Sequence, residues 1–242
     1  MSDGIAITTE DAIREIRFDR PPGNLLEPGL MGAIREAILA ADDDADVLGI
    51  VLTGGGPDSK FCGGLDLARL AIEKDPPGYA SALVELLRIF PRLRTPIAAA
   101  VNGDAVASGF SLAQSCDYVV SVPDAVLGTY EASVGTFPMV AMIAPLQRLL
   151  PRHALQNILT GEPFPAQRAY EIGAVNEIAP FEEIGAAARR FLEKAKAAKA
   201  VVDLGRPAFY RILDLPYDEA LTAGLEEFVN MFQRQSARAA QS

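Results

Sequence analysis

One carboxylate, Glu131, lies among small and apolar residues in GTYEASVGTFP, residues 128–138. Two glycine-bearing turns precede it in the chain, FCGGLDL at 61–67 and AAAVNGDAVASGFSLA at 98–113. Each reads as a buried strand that turns through small residues into a helix. Such turns leave backbone N–H groups unpaired and outward-facing, and those groups hold negative charge. Two such turns and a single carboxylate suit chemistry in which negative charge builds on a carbonyl oxygen.

Other chemistries lack their parts. His153 is the only histidine, and the two cysteines, Cys62 and Cys116, match no metal or redox spacing, so no metal site is expected. Gly54–Gly56 invites a phosphate-loop reading, but Ser59 stands where a Gly must precede Lys60, and Phe61 follows where Ser or Thr is needed. A dinucleotide fingerprint starting at Gly54 would also need Gly at position 59. Both readings fail.

A net charge of -10 and a pI near 4.7 argue against nucleic acid and anionic membranes as partners. The weakly polar stretch Pro96 to Phe110 is broken by Asn102 and Asp104 and is too short to span a bilayer. MSDGIAITTE has no basic region followed by an apolar one, so the chain reads as cytoplasmic.

The positioning elements follow from periodicity. Ile5–Thr8 and Ile13–Phe18 alternate as a hairpin. Leu30, Ile34, Ala37, Ile38 and Ala41 recur at helical spacing up to the acidic turn Asp42–Asp46, which reads as solvated surface. Val47–Leu52 and Ile97–Val101 are compact apolar runs of buried strands, and Tyr118–Ser121 and Val175–Ile178 read as two more. Leu83, Leu86, Leu87 and Phe90 share a helix face, and beyond Phe181 an Ala-, Lys- and Glu-rich tail reads as helical. Strands alternating with helices predict an α/β core over 1–180 and a helical C-terminal region over 181–242.

Four segments carry a resemblance in the right order and spacing: RPPGNLL (20–26), LTGGGPDSKFCGGLDL (52–67), PIAAAVNGDAVASGFSLAQSCDYVV (96–120) and LTGEPFPAQRAYEIGAVNEI (159–178). The chain resembles the enoyl-CoA hydratase/isomerase (crotonase) family over nearly its whole length. The resemblance implies a crotonase-like spiral of ββα units whose helical C-terminal region supports trimers or dimers of trimers. It also implies an acyl-CoA substrate, with coenzyme A entering only as part of the thioester and no separate cofactor.

By the same resemblance, Leu65 and Ser108 supply the two oxyanion N–H groups, and Gly63 and Gly64 admit the ligand closely. Asp66 is expected to cap the next helix. Asn24, Leu25, Arg20 and Lys60 fall near the coenzyme, with the last two as basic neighbours of its phosphates. Residues 68–94 are expected to form the helical wall of the acyl pocket. Glu131 matches the family's main acid/base.

The sequence departs from the family pattern where it matters for the reaction. Family hydratases carry a second glutamate at the position of Ser111, and dienoyl-CoA isomerases carry an aspartate at the position of Met139. One carboxylate suffices for a Δ3-to-Δ2 double-bond shift. Hydration with Ser111 orienting water is the alternative, and a non-catalytic acyl-CoA-binding protein is a reading of another class.

Overall fold

The computed structural model describes residues 4–239; residues 1–3 and 240–242, at the ends of the expected core and tail, lie outside the described residues. The strands are β1 (Ile5–Glu10), β2 (Ile13–Phe18), β3 (Gly49–Thr53), β4 (Ile97–Val101), β5 (Ala105–Val106), β6 (Tyr118–Ser121), β7 (Val126–Gly128), β8 (Phe164–Pro165) and β9 (Glu177–Ile178). The helices are α1 (Pro28–Asp43), α2 (Leu67–Glu73), α3 (Pro76–Ile89), α4 (Ser108–Ser115), α5 (Ile143–Arg148), α6 (Pro151–Thr160), α7 (Ala166–Glu171), α8 (Phe181–Lys196), α9 (Lys199–Ile212) and α10 (Tyr217–Ala239). The main sheet runs β1-β2-β3-β4-β6-β9, and a small second sheet runs β5-β7-β8. Only β1 is antiparallel to its neighbour in the main sheet.

GIVLT and IAAAV are buried along their whole length, as parallel strands covered on both faces must be. One face carries Ile16, Leu52, Ala99 and Val101 into a core shared with Leu30, Ile34 and Ile38 of α1, Leu86 of α3 and Phe110 of α4. Helix α1 begins where Glu27 accepts the N–H groups of Gly29 and Leu30, at 2.9 Å each, and Pro28 takes the first position. The other face buries Ile13, Val51, Ala98, Ala100 and Val120 against Ile184, Ala187, Ala188 and Leu192 of α8. A boundary at residue 180 therefore does not separate the packing: α8 covers half of the sheet, and the appended layer begins with α9.

Two expectations change. Residues 68–94 are not one helix. Helix α2 stops at Glu73 with Lys74 in the left-handed region (φ 54°), and α3 restarts behind the cap Asp75, because Pro76 and Pro77 cannot continue a preceding helix. The acidic turn is also more than solvated surface, since Asp42 accepts the N–H groups of Arg94 (2.9 Å) and Thr95 (2.7 Å) and ties α1 to the lead-in of β4. Helix α9 is held by a buried Arg206, which forks onto Asp117 at 2.8 and 2.9 Å and also donates to the carbonyl of Phe90. Among the described residues, no helix is long and apolar enough to cross a membrane.

The loop from β3 to the first glycine turn has no regular structure, so its backbone needs other partners. Asn102, 2 % exposed, supplies them: Oδ1 accepts from Gly54 N (3.0 Å), and Nδ2 donates to the carbonyls of Gly56 (3.1 Å) and Ser59 (3.0 Å). Asn102→Ala strands a buried N–H, and we expect a loss of about 2–3 kcal/mol in urea denaturation together with faster amide exchange across residues 54–60. Unchanged stability would show that water replaces the side chain at no cost.

Candidate active site

The first turn is clamped from both sides. Cys62 N donates to Asp104 O and Val106 N to Cys62 O, both at 3.0 Å, which joins the turn to β5. Opposite, Leu26 N donates to Gly64 O and Asp66 N to Leu26 O, both at 2.8 Å. Between these pairings the N–H of Leu65 has no acceptor among the described residues. Asp66 caps α2 as expected, accepting from Arg69 N at 2.9 Å.

The second turn leaves β5 through Ala107, which sits at φ 53°, ψ -125°, and α4 starts at Ser108. Ser108 N, at the first helical position, also has no acceptor among the described residues. The two turns touch. A Cβ on Gly64 would stand 2.8 Å from that of Ala107, and a Cβ on Gly109 would stand 2.6 Å from that of Cys62. Glycine at both positions lets the two unpaired N–H groups share one space.

Glu131 opens a short 3-10 turn, Glu131–Val134, after β7. Asn157, which no sequence motif marks, sets that turn: its Oδ1 accepts Thr129 N at 2.7 Å, and its Nδ2 donates to Thr129 O at 2.8 Å. Gly161, the left-handed cap of α6, packs on the turn so closely that a Cβ would meet Tyr130 O at 3.0 Å. Half-buried Glu131 accepts Tyr130 N at 2.9 Å. Burial pushes its carboxyl above the ordinary value of 4.5, and the backbone hydrogen bonds only partly offset that.

Leu65, Ser108 and Glu131 line one cleft of about 230 Å³, with apolar walls that include Leu83, Val140 and Ala141. Glu131 is the only carboxylate among its lining residues. Met139 is there too, 66 % exposed. Ser111 is not. It is fully buried one helical turn beyond Ala107, and its hydroxyl donates to the carbonyl of Ala141, behind the cleft wall. That corrects the expectation that Ser111 orients water, because its proton is already committed. Among the described residues there is no group of three or more His, Cys, Asp or Glu that could hold a metal.

The expected coenzyme-side residues do gather. A Cβ on Gly63 would meet Gly23 O and Leu25 Cδ2, both at 2.9 Å, with Lys60 Cδ at 3.7 Å. Asn24 corrects its assignment: it is fully buried, donates to the carbonyls of Phe18, Lys60 and Phe61, and accepts from Arg20 N. Its side chain holds the turn and offers nothing to a ligand. Arg20 pairs with Glu27 at 2.7 Å and Lys60 with Asp104 at 3.2 Å, so each cation already holds a carboxylate. Cys62 is buried beside the donors, and burial pushes its thiol up to about 12, far from a reactive thiolate.

The sequence model of the family described as Enoyl-CoA hydratase/isomerase matches residues 8–241. A probable mitochondrial enoyl-CoA hydratase of Dictyostelium discoideum is 30 % identical over 209 residues, covering 85 % of this chain and 75 % of that protein. The carnitinyl-CoA dehydratase of Salmonella typhimurium is 30 % identical over 226 residues, 90 % of this chain and 85 % of the relative. Among solved structures, human enoyl coenzyme A hydratase domain-containing protein 3 superposes with a TM-score of 0.86 at 27 % identity, covering 94 % of this chain and 91 % of the other. The crotonase-like fold expected from the sequence is thereby the fold observed.

The backbone at Ala107 yields a direct test. Its conformation suits glycine and strains any side chain, by about 1–3 kcal/mol. Ala107→Gly should stay within about 1 kcal/mol of wild type, since relief of strain offsets the lost methyl burial and the added chain entropy. Ala107→Val should cost more than about 2 kcal/mol, because β-branching is least tolerated there. Thermal and urea unfolding of both variants check the contrast; equal effects would remove the strain from the argument.

Proposed function

The chain belongs to the enoyl-CoA hydratase/isomerase family, and we propose that it catalyses the Δ3-to-Δ2 shift of an enoyl-CoA thioester with Glu131 as sole acid/base. The observation carrying this reading is the single carboxylate among the cleft's lining residues, which shares the cleft with two backbone N–H groups that have no acceptor among the described residues. The thioester oxygen accepts from Leu65 N–H and Ser108 N–H. Glu131 takes a proton from C2, and the C3=C4 electron pair moves to form C2=C3 through a dienolate whose charge rests on that oxygen. The same carboxyl then returns the proton to C4. Atoms balance, and no water enters. Losing one such donor typically costs about 3–4 kcal/mol, so the pair accounts for a large part of the barrier lowering.

Hydration is the second reading, favoured by the names of the relatives, a hydratase and a dehydratase. It needs a water held by a group other than Ser111, whose hydroxyl is bound to Ala141. On the coenzyme side, the phosphates would lie by Arg20 and Lys60, and Gly63 and Gly64 would admit the pantetheine arm closely.

Glu131→Gln preserves shape and removes the base. Turnover of a 3-enoyl-CoA should fall at least about a hundredfold, within the range of general-base assistance, while binding of a saturated acyl-CoA changes little. In wild type the rate should fall as pH drops through the carboxyl's raised value, so the acid limb sits above 4.5, and the residual activity of the Glu131→Gln variant should lack that limb. Timed on substrates of matched length, isomerisation should outpace hydration. A wild type that hydrates at least as fast moves the assignment to the hydratase reading, and binding without turnover of either substrate moves it to the non-catalytic one.

Assembly belongs to the same proposal. Leu221, Leu225, Phe228 and Phe232 of α10 are 49–64 % exposed, a face wide enough to need a cover, and the family reading supplies a trimer or dimer of trimers. Sedimentation at micromolar concentration should give three or six copies; a monomer overturns it.

A further inference from the structure

We infer that the catalytic cleft continues past Val140 into a second cavity and that this channel takes an unbranched aliphatic acyl chain of roughly eight or more carbons. The inference deepens the proposed function and rests on its thioester position. The second cavity measures about 310 Å³, and Val140 lines both it and the cleft. The same three stretches of chain wall the two spaces in the same order. Helix α3 gives Leu83 to the cleft and Leu87 to the cavity; α4 gives Ser108 and then Ser115; the segment after Glu131 gives Ala141 and then Ala144. From Ser108 to Ser115 a helix rises about 10 Å, close to eight bonds of an extended chain. The channel thus leads away from the donor at Ser108, the direction an acyl chain must take.

Its chemistry selects the occupant. The hydroxyl of Ser115 donates to Ser111 O at 2.8 Å, and Arg148 donates to Gln114 O at 3.0 Å and to the Tyr210 hydroxyl. These polar side chains in the wall are already paired within the protein. Gln114 donates to Ala174 O (2.8 Å), and the exposed Arg88 and Gln147 pair with Glu85 (2.7 Å) and Asp214 (3.0 Å); the rest of the wall is apolar, including Leu87, Phe90 and Ile143, and Ile143 is half exposed. A hydrocarbon tail covers the apolar part of this wall without unpairing a polar atom, whereas a hydroxylated or charged tail would have to compete for groups already paired within the protein.

The test is binding of saturated acyl-CoAs, four to sixteen carbons long, by calorimetry, which requires no turnover. Wild-type affinity should rise roughly three- to fourfold per methylene, beyond eight carbons. Ala144→Phe fills the second cavity from one wall and Leu87→Phe from another, and in each the series should level off near eight carbons; the second variant guards against misfolding of the first. A wild-type series that levels off before eight carbons overturns the channel, as do two folded variants that keep the full gain. If Ala144→Phe instead dissociates the assembly and the wild-type series is flat, the cavity is an interface between copies. Should no acyl-CoA of any length bind, the proposed function falls as well, whereas short-chain binding without a long-chain gain sinks the channel alone.

Discussion

Cys62 exchanges two backbone hydrogen bonds with the residues flanking Ala105, and the usefulness of both glycine turns depends on that exchange. Without it, Leu65 and Ser108 would belong to separate loops, each free to turn its N–H towards water. Donors that must reorganise during a reaction lose most of their value, so the proposed charge stabilisation rests on this pairing. The closeness it demands explains the glycines: at Gly109 there is no room for a Cβ beside Cys62. It also explains the buried amides. Asn102 and Asn24 bond successive stretches of the irregular chain that leads into the turn, at Gly54 and Ser59 and then at Lys60 and Phe61, so that a loop without a ladder of its own is still held by hydrogen bonds.

The same rigid frame places charge sparingly. Around the cleft the walls are apolar, which strengthens any interaction between the two N–H groups and a developing anion. That apolar setting also raises Glu131, making it a better acceptor of a carbon-bound proton than a solvated carboxylate would be. Elsewhere the acidic chain pairs cations, as Arg20 does with Glu27 and Lys60 with Asp104, so little free positive charge remains at these two positions. An anion arriving there meets neutralised pairs and backbone.

Local pattern carried much of this into the sequence. The runs of β3 and β4, the face of α1 and the cap at Asp66 all follow from spacing within a few residues, and they appear where expected. Glu131, Leu65 and Ser108, singled out from the neighbours of their turns, do line one cleft. Long-range pairing could not be read. Asn157 looks like any helical asparagine, yet it bonds a residue 28 positions away, and Ser111 looks available by pattern although its hydroxyl is bound to Ala141. The break at Lys74–Asp75 does have a local signal, the double proline that follows, which the apolar face of the flanking residues outweighs.

Helix α8 has a consequence for synthesis. The sheet face formed by Val51, Ala98, Ala100 and Val120 is complete once β6 ends at Ser121, but its cover extends to Leu192. At about 5–20 residues per second the ribosome needs several seconds to bridge that interval. During it any sheet that forms from β2, β3, β4 and β6 has one apolar side without its cover. A chain arrested before residue 192 should therefore expose that face and aggregate more readily than the full chain, even though every lining residue of the cleft has been made.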